Sequence, residues 1–143
     1  MLSKTCKIAI KAVIYLCSKF KSGENASIKE IAEFIDASEH TVGKILQTLV
    51  KQDVIKSMKG PTGGFSISKA QQKQPIINIV EAIDGKQIFT SCGLGLSKCS
   101  SSHPCPIHDD YKQMRDLMEK LFREKNVRNL CEPVSNGLAY LIG

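Results

Sequence analysis

Residues 27–50 constrain the fold most strongly, because they contain two helical patterns separated by a break of only a few residues. The first pattern begins at Ile28 with apolar residues at i, i+3, i+4 and i+7, and the second repeats this spacing. Ser27 and Glu30 have the spacing of a capping box, and Ser38 is placed to cap the second helix. Two short helices joined by a tight turn predict a helix-turn-helix, whose second helix can enter a DNA major groove.

The outward face of the second helix carries side chains suited to contacts with base edges and phosphates. These small or polar residues are Glu39, His40, Thr41, Gly43, Lys44, Gln47 and Thr48. Taken alone, such a face is more typical of an ordinary solvated helix. The segment that follows therefore decides between the two interpretations.

That segment, "DVIKSMKGPTGGFSISK", predicts two short strands around a glycine-rich tip. Lys56 and Lys59 place positive charge on the hairpin. Its tip consists of Gly60, Pro61, Thr62, Gly63 and Gly64. A basic hairpin after a helix-turn-helix predicts a wing that touches the neighbouring minor groove or phosphates.

The charge distribution supports a nucleic-acid partner. The net charge is +6, and residues 1–73 hold twelve Lys against six acidic residues, whereas residues 74–143 hold eight basic and eight acidic residues. All the excess positive charge thus lies in the N-terminal half, as expected of a DNA-binding unit. No nucleophile–base arrangement and no phosphate-binding loop with its Lys is present, so an enzyme is not predicted.

The N-terminal residues resemble a signal peptide at first sight. However, Lys11 interrupts the apolar run and no small-residue cleavage site follows. Apolar residues from Ile8 to Cys17 have helical spacing, and no run of about 18 apolar residues exists. We therefore expect a first helix of a cytoplasmic protein that does not span a membrane.

The C-terminal half predicts two further helices on either side of a loop. One ends at Gly85, and a longer one begins at Asp109 or Asp110 after the loop 86–108. The longer helix has an apolar stripe made of Tyr111, Met114, Leu117, Met118, Leu121 and Phe122. Pairing with a second copy would cover this stripe, and packing against its own N-terminal domain is the alternative. The tail "EPVSNGLAYLIG" suggests a short capping helix.

The loop contains three cysteines with the spacing C-x6-C-x5-C, and His108 follows the third. Structural zinc sites usually have C-x2-4-C knuckles, which are missing here, although a looser Cys3His zinc site remains open. Disulfides are disfavoured because no signal peptide is predicted and the cytosol keeps thiols reduced. Wide spacing on a flexible loop suits an iron–sulfur cluster, with histidine as a plausible fourth ligand. For Cys17 and Cys131, small buried apolar residues are the preferred interpretation.

The sequence from Ser27 to Lys69, above all "GPTGGF", resembles the Rrf2 family of bacterial winged-helix regulators, and "AIKAVIYL" and "INIVEAIDG" also match its pattern. The resemblance implies a mainly α-helical winged helix-turn-helix with a small β-hairpin and a long C-terminal dimerisation helix. It implies a homodimeric transcription factor, preferably a repressor, that reads a pseudo-palindromic operator in double-stranded DNA. The matching recognition positions are Ser38, His40, Thr41 and Gly43, and the minor-groove role falls on Lys59. Gly43 departs from the IscR-like branch, which has an acidic residue there.

The resemblance also implies an iron–sulfur cluster, preferably [2Fe-2S] rather than [4Fe-4S], on Cys92, Cys99 and Cys105. His108 matches the fourth ligand of IscR-like members, with Cys6 and His103 as alternatives. The NsrR-like branch uses an aspartate in the first helix, where this chain has Lys7.

These inferences divide the chain into a DNA-binding domain, 1–74, and a region, 75–143, with the cluster loop and dimerisation helix. The expected signal is redox state, nitric oxide or iron–sulfur status. A thiol-redox or zinc switch on the same fold, control by a protein partner, and an iron–sulfur electron-transfer or carrier protein are the alternatives. The last of these explains the cysteines but not the wing.

Overall fold

The structure is a computed structural model that describes residues 1–143, and it confirms the predicted winged-helix architecture. The chain forms six helices and a two-stranded hairpin, with short 3-10 turns between some of them. The N-terminal elements are α1 (Lys4–Ser18), α2 (Ile28–Ile35), α3 (Glu39–Lys51), β1 (Lys56–Met58) and β2 (Gly64–Ser66). The C-terminal elements are α4 (Ile77–Asp84), α5 (His108–Glu124) and α6 (Val127–Ser135). None of the helices is both long and apolar enough to cross a membrane.

Serine side chains begin both helices of the helix-turn-helix. Ser27 Oγ accepts from the Glu30 N–H at 3.1 Å, and Ser38 Oγ accepts from the Thr41 N–H at 3.2 Å. The predicted capping box at Ser27 is only half formed. The Glu30 carboxylate instead accepts a 2.5 Å hydrogen bond from the Tyr15 hydroxyl, which ties α2 to α1.

The hairpin is antiparallel, with Ser57 paired to Phe65. Ala26 extends it, since the N–H and C=O groups of Ala26 and Phe65 exchange hydrogen bonds of 2.8 and 2.9 Å. Gly64 lies where these segments meet, with φ +141°. A Cβ on Gly64 would lie 2.6 Å from the Ala26 oxygen, so only glycine allows this close approach. The wing is therefore anchored directly in front of α2.

One hydrophobic core spans both halves of the chain. Leu16, Leu46 and Ile79 are almost fully buried in it, and so is Val127 of α6. The backbone of residues 74–76 bonds to that of residues 125–127, which brings the start of α6 beside the start of α4. Residues on both sides of position 74 therefore share one core.

Two helix predictions need correction. The long helix begins at His108, one residue before the predicted start, and its first turn contains Asp109 and Asp110. The tail is not a helix of its own, because α6 begins at Val127, where the Asn126 side chain caps it, and ends at Ser135. Residues 136–143 are turns and coil.

The apolar stripe of α5 is partly buried against the core and partly exposed to solvent. Met118 and Phe122 pack against the core, and the Phe122 ring meets that of Phe89 edge-on at 6.3 Å. Leu117 and Leu121 are 68% and 51% exposed. Packing against its own domain thus covers one side of the stripe and leaves the other side open.

Candidate functional site

The α3 face that the sequence assigns to DNA is exposed. His40, Lys44 and Gln47 are open to solvent, and Thr41 is half-buried. The Ser38 hydroxyl caps the helix and also donates to Thr41 Oγ1 at 2.8 Å, which fixes the Thr41 side chain at the front of α3. A rigid polar face of this kind can dock against base edges and phosphates.

The wing stands beside this face. A groove of about 400 Å³ separates α3 from the hairpin and is lined by Gln47, Lys51 and Lys59 among others. The exposed wing residues are Lys56, Lys59, Gly60, Pro61 and Thr62, and Gly63 and Gly64 of the tip are half-buried. Of the residues assigned to DNA, Lys59 and Gly64 of the hairpin therefore line a groove whose other wall is formed by Gln47 and Lys51 of α3.

Gly43 lies at the border between the exposed face of α3 and the side that packs against α2. It is buried, and a Cβ built on it would lie 3.4 Å from Ile28 Cδ1 of α2. Its position is thus within the contact between the two helices of the helix-turn-helix. The sequence placed Gly43 among the recognition positions and did not indicate this packing role.

The loop between α4 and α5 gathers the three cysteines that the sequence singled out. The Sγ atoms of Cys92, Cys99 and Cys105 all lie within 4.8 Å of one another, and those of Cys92 and Cys105 are 3.6 Å apart. Cys105 is buried, and the other two are half-buried. A turn after Cys92 uses Gly95 at φ +74°, and a bridge between Ser100 and His103 closes the next bend. The local turns thus fold three distant positions into one triangle.

The three candidates for a fourth ligand lie in different places. His108 Nδ1 is 3.1 Å from Cys99 Sγ, at the first residue of α5. His103 is exposed at the bend of the loop. Cys6 is fully buried in α1, and burial together with the Asp84 carboxylate raises the pKa of its thiol to about 12. His108 thus contacts a cysteine of the triangle directly, and His103 lines the same small cavity as Cys99 and Cys105.

One of the three thiols of the loop, that of Cys92, is shifted towards its thiolate form. The backbone N–H groups of Leu96 and Leu94 donate to Cys92 Sγ, and this lowers the pKa of the Cys92 thiol to about 7. Thiolates are the form that binds metals, so part of the ligand set is prepared near neutral pH.

Arg115 is a residue that sequence reasoning missed. It lies on α5 and is only 7% exposed, yet no carboxylate pairs with it and its Nε has no hydrogen-bond partner. Its Nη1 donates to the Ser91 carbonyl, next to Cys92, and its guanidinium lies 5.6 Å from the Tyr111 ring centre. The sequence did contain a signal for the burial of Arg115, because Arg115 lies at i+4 in the apolar i, i+4, i+7 row that contains Tyr111 and Met118. Arg115 therefore ties α5 to the beginning of the cysteine triangle.

The donor set determines what the loop can hold. All six cysteines are free thiols, and the loop offers three sulfurs and an imidazole. Soft sulfur and imidazole donors suit zinc or an iron–sulfur cluster rather than magnesium or calcium. The residues present therefore fit a metal or a cluster.

The fold and these sites define a winged-helix DNA-binding protein, and solved structures agree with this class. The chain superposes on the IscR of T. potens with a TM-score of 0.73 at 16% identity, covering 98% of this chain and 92% of that one. It superposes on B. subtilis CymR, described as a global cysteine regulator, with a TM-score of 0.72 at 19% identity, covering 92% and 96% of the two chains.

Sequence comparison identifies the family. Residues 2–133 match the Rrf2 family, described as "Iron-dependent Transcriptional regulator". A Rhodobacter capsulatus chain named as an rrf2-like HTH-type transcriptional regulator is 32% identical over 126 residues, which cover 87% of this chain and 80% of that one. The NsrR regulator of Oceanobacillus iheyensis is 23% identical over 141 residues, 98% and 95% of the two chains. The chain belongs to the Rrf2 family and is a transcriptional regulator, not an enzyme.

Proposed function

We propose that this protein is a homodimeric, cytoplasmic repressor whose operator affinity is controlled by an iron–sulfur cluster on the loop 86–108. The observation that carries the proposal is the triangle of Cys92, Cys99 and Cys105 sulfurs, all within 4.8 Å of one another. His108 Nδ1, 3.1 Å from Cys99, would complete the ligand set. Imidazole ligation is known for [2Fe-2S] centres, so this cluster type is preferred.

A bound cluster would supply a centre that exchanges electrons and reacts with oxygen species or nitric oxide. The chain itself links that centre to DNA binding. The loop connects α4, whose Ile79 and Val80 are buried in the core beneath α3, to α5. Arg115 joins α5 to Ser91 at the start of the loop. Ordering or relaxing the loop would therefore change how α5 is held against the DNA-binding part, as in a two-state switch biased by a ligand.

The exposed side of α5 is the proposed dimer contact. Met114, Leu117 and Leu121 are 40%, 68% and 51% exposed and lie on one side of the helix. A second copy of the same helix would cover them and place two α3 helices on a pseudo-palindromic operator. Sedimentation of the wild type as a dimer and of Leu117→Glu as a monomer would support this contact, whereas a monomeric wild type would exclude it.

We assign DNA binding to residues 1–74, and the cluster and dimer contact to residues 75–143. The residues that we assign to the DNA-binding function are Ser38, His40, Thr41, Gly43, Lys44, Lys56, Lys59, Gly60, Pro61, Thr62, Gly63 and Gly64. Of these, Gly43 would act through helix packing and the others at or near the DNA surface. The operator used in the binding measurements is obtained by selecting double-stranded DNA that binds the protein from a random-sequence library.

The DNA assignment is tested by salt dependence. Lys59→Ala should weaken operator binding and reduce the slope of log affinity against log salt by about 1, because one phosphate contact is lost. Lys120→Ala is the matched control. Lys120 is exposed on α5, outside the helix-turn-helix and the wing, and its Nζ lies 3.9 Å from a Glu124 carboxylate oxygen. Equal slopes for both variants would remove Lys59 from the interface.

The cluster assignment is tested by anaerobic purification. We expect a coloured protein with broad visible absorption and iron and sulfide in equal amounts, and a colourless Cys92→Ala/Cys99→Ala/Cys105→Ala variant. Cys131→Ala, which removes a cysteine outside the loop, should keep the colour. A colourless wild-type protein with one zinc ion per chain would favour the zinc switch. The compact sulfur triangle also suits zinc, because Zn–S bonds are about 2.3 Å long.

A further inference from the structure

A second cleft lies away from both the cysteine loop and the α3 face. It has a volume of about 470 Å³ and lies between the end of α1, the 3-10 turn Gln71–Lys73 and α6. This volume is in the range of small-molecule sites. The cleft contains the thiols of Cys17 and Cys131, which neither DNA binding nor the proposed cluster uses.

The rim of the cleft is strongly basic. Its four cations are Lys21, Lys69, Lys73 and Arg128, and its one carboxylate is Glu132. Glu132 accepts from Arg128 Nε at 2.9 Å, and the three lysines have no carboxylate partner. The four cations and one carboxylate leave an excess charge of +3 around the cleft.

One residue that lines the cleft has a buried, unpaired donor. Gln72 lines the cleft and is only 9% exposed, yet its side-chain Nε2 has no hydrogen-bond partner. Buried amide groups are normally paired, so an unpaired one marks a position where a missing acceptor would fit. Ser135 and Asn136 of the α6 terminus add further polar groups on the opposite wall.

From the basic rim and the unpaired Gln72 amide we infer that this cleft binds a small anionic molecule through a phosphate or carboxylate group. The lysines and Arg128 would neutralise the anion, and Gln72 would donate to one of its oxygens. The ligand would bridge α6 to the segment that follows the wing, because Lys69 and Lys73 come shortly after β2. This inference does not depend on the cysteine loop.

Thermal unfolding at constant ionic strength tests the site. Inorganic phosphate and succinate serve as separate probes, with sodium chloride adjusted so that total ionic strength does not change. We expect a saturating rise in Tm with at least one probe, about 4 °C when the probe is tenfold above its Kd. The probe that saturates identifies phosphate or carboxylate as the recognised group.

Three variants make the result specific. Lys69→Gln/Lys73→Gln and Gln72→Leu should each weaken the saturating response at least tenfold, whereas Lys86→Gln, a lysine outside the cleft, should leave it unchanged. Circular dichroism and the Tm without a probe check that each variant folds. Gln72→Leu removes no charge, so its effect separates a built site from general attraction of anions.

Two results would overturn the inference. The first is a Tm response to both probes that does not saturate, or that is equal in all variants. The second is the absence of a probe response together with a loss of operator affinity in Lys69→Gln/Lys73→Gln as large as that in Lys59→Ala. That second result would assign the cleft to the DNA interface instead.

Discussion

Gly43 provides the sharpest test of how the recognition helix is built. Glycine inside a helix costs about 1 kcal/mol relative to alanine. The backbone of Gly43 does not have a positive φ, and an alanine Cβ would lie 3.4 Å from Ile28 Cδ1, at the flexible end of that side chain. Gly43→Ala should therefore raise the free energy of unfolding by up to about 1 kcal/mol, or about 3 °C in Tm.

Urea denaturation and thermal unfolding measure the stability of Gly43→Ala, and fluorescence anisotropy with labelled operator measures its DNA affinity. Because the new methyl group would face α2, operator affinity should stay within twofold of the wild type. Gly64→Ala is the control, and it should destabilise the protein because Gly64 has φ +141° and a Cβ there would lie 2.6 Å from the Ala26 oxygen. If Gly43→Ala left stability unchanged but weakened operator binding tenfold, Gly43 would contact DNA and the packing argument would be refuted.

Three further predictions concern individual side chains. His108→Ala should lower the iron content of the anaerobic protein, measured by atomic absorption, because His108 Nδ1 lies 3.1 Å from Cys99 Sγ. His103→Ala should not lower it, and an equal loss of iron in both variants would argue against His108 as a ligand. Tyr15→Phe should lower the free energy of unfolding in urea by about 1–2 kcal/mol, because the bond to the Glu30 carboxylate is lost, and no change would mean that water replaces it. The pKa of the Cys6 thiol is raised to about 12 by burial, so the folded chain keeps a proton that the unfolded chain loses above pH 9. Stability should therefore fall from pH 9 to 11, by about 1.4 kcal/mol per pH unit from this group, and an unchanged slope in Cys6→Ala would contradict this origin.

The DNA-binding part could be predicted because its signals are local. The serine caps at Ser27 and Ser38, the apolar spacing of α2 and α3, and the glycine-rich hairpin each follow from a few adjacent residues. The gathering of Cys92, Cys99 and Cys105 was likewise expected from their shared loop. In each case the positions that meet are close in sequence or connected by turns.

The features that sequence reasoning missed all depend on contacts between distant segments. The Glu30 carboxylate bonds to Tyr15 of α1 instead of closing the capping box, and Gly43 is explained by Ile28 of the neighbouring helix. Arg115 is buried against Ser91, which is 24 residues earlier. Periodicity describes one segment at a time, and it cannot show which partner a side chain will find across the core.

The central claim is that the occupied cysteine loop sets operator affinity. Its most direct test measures the anisotropy of labelled operator with one anaerobic preparation, before and after the cluster is removed by chelator. We predict a change in Kd of at least tenfold, equal to about 1.4 kcal/mol. The same treatment should leave the Kd of Cys92→Ala/Cys99→Ala/Cys105→Ala unchanged. A coloured wild-type protein whose Kd stays within twofold after losing its iron would contradict the account.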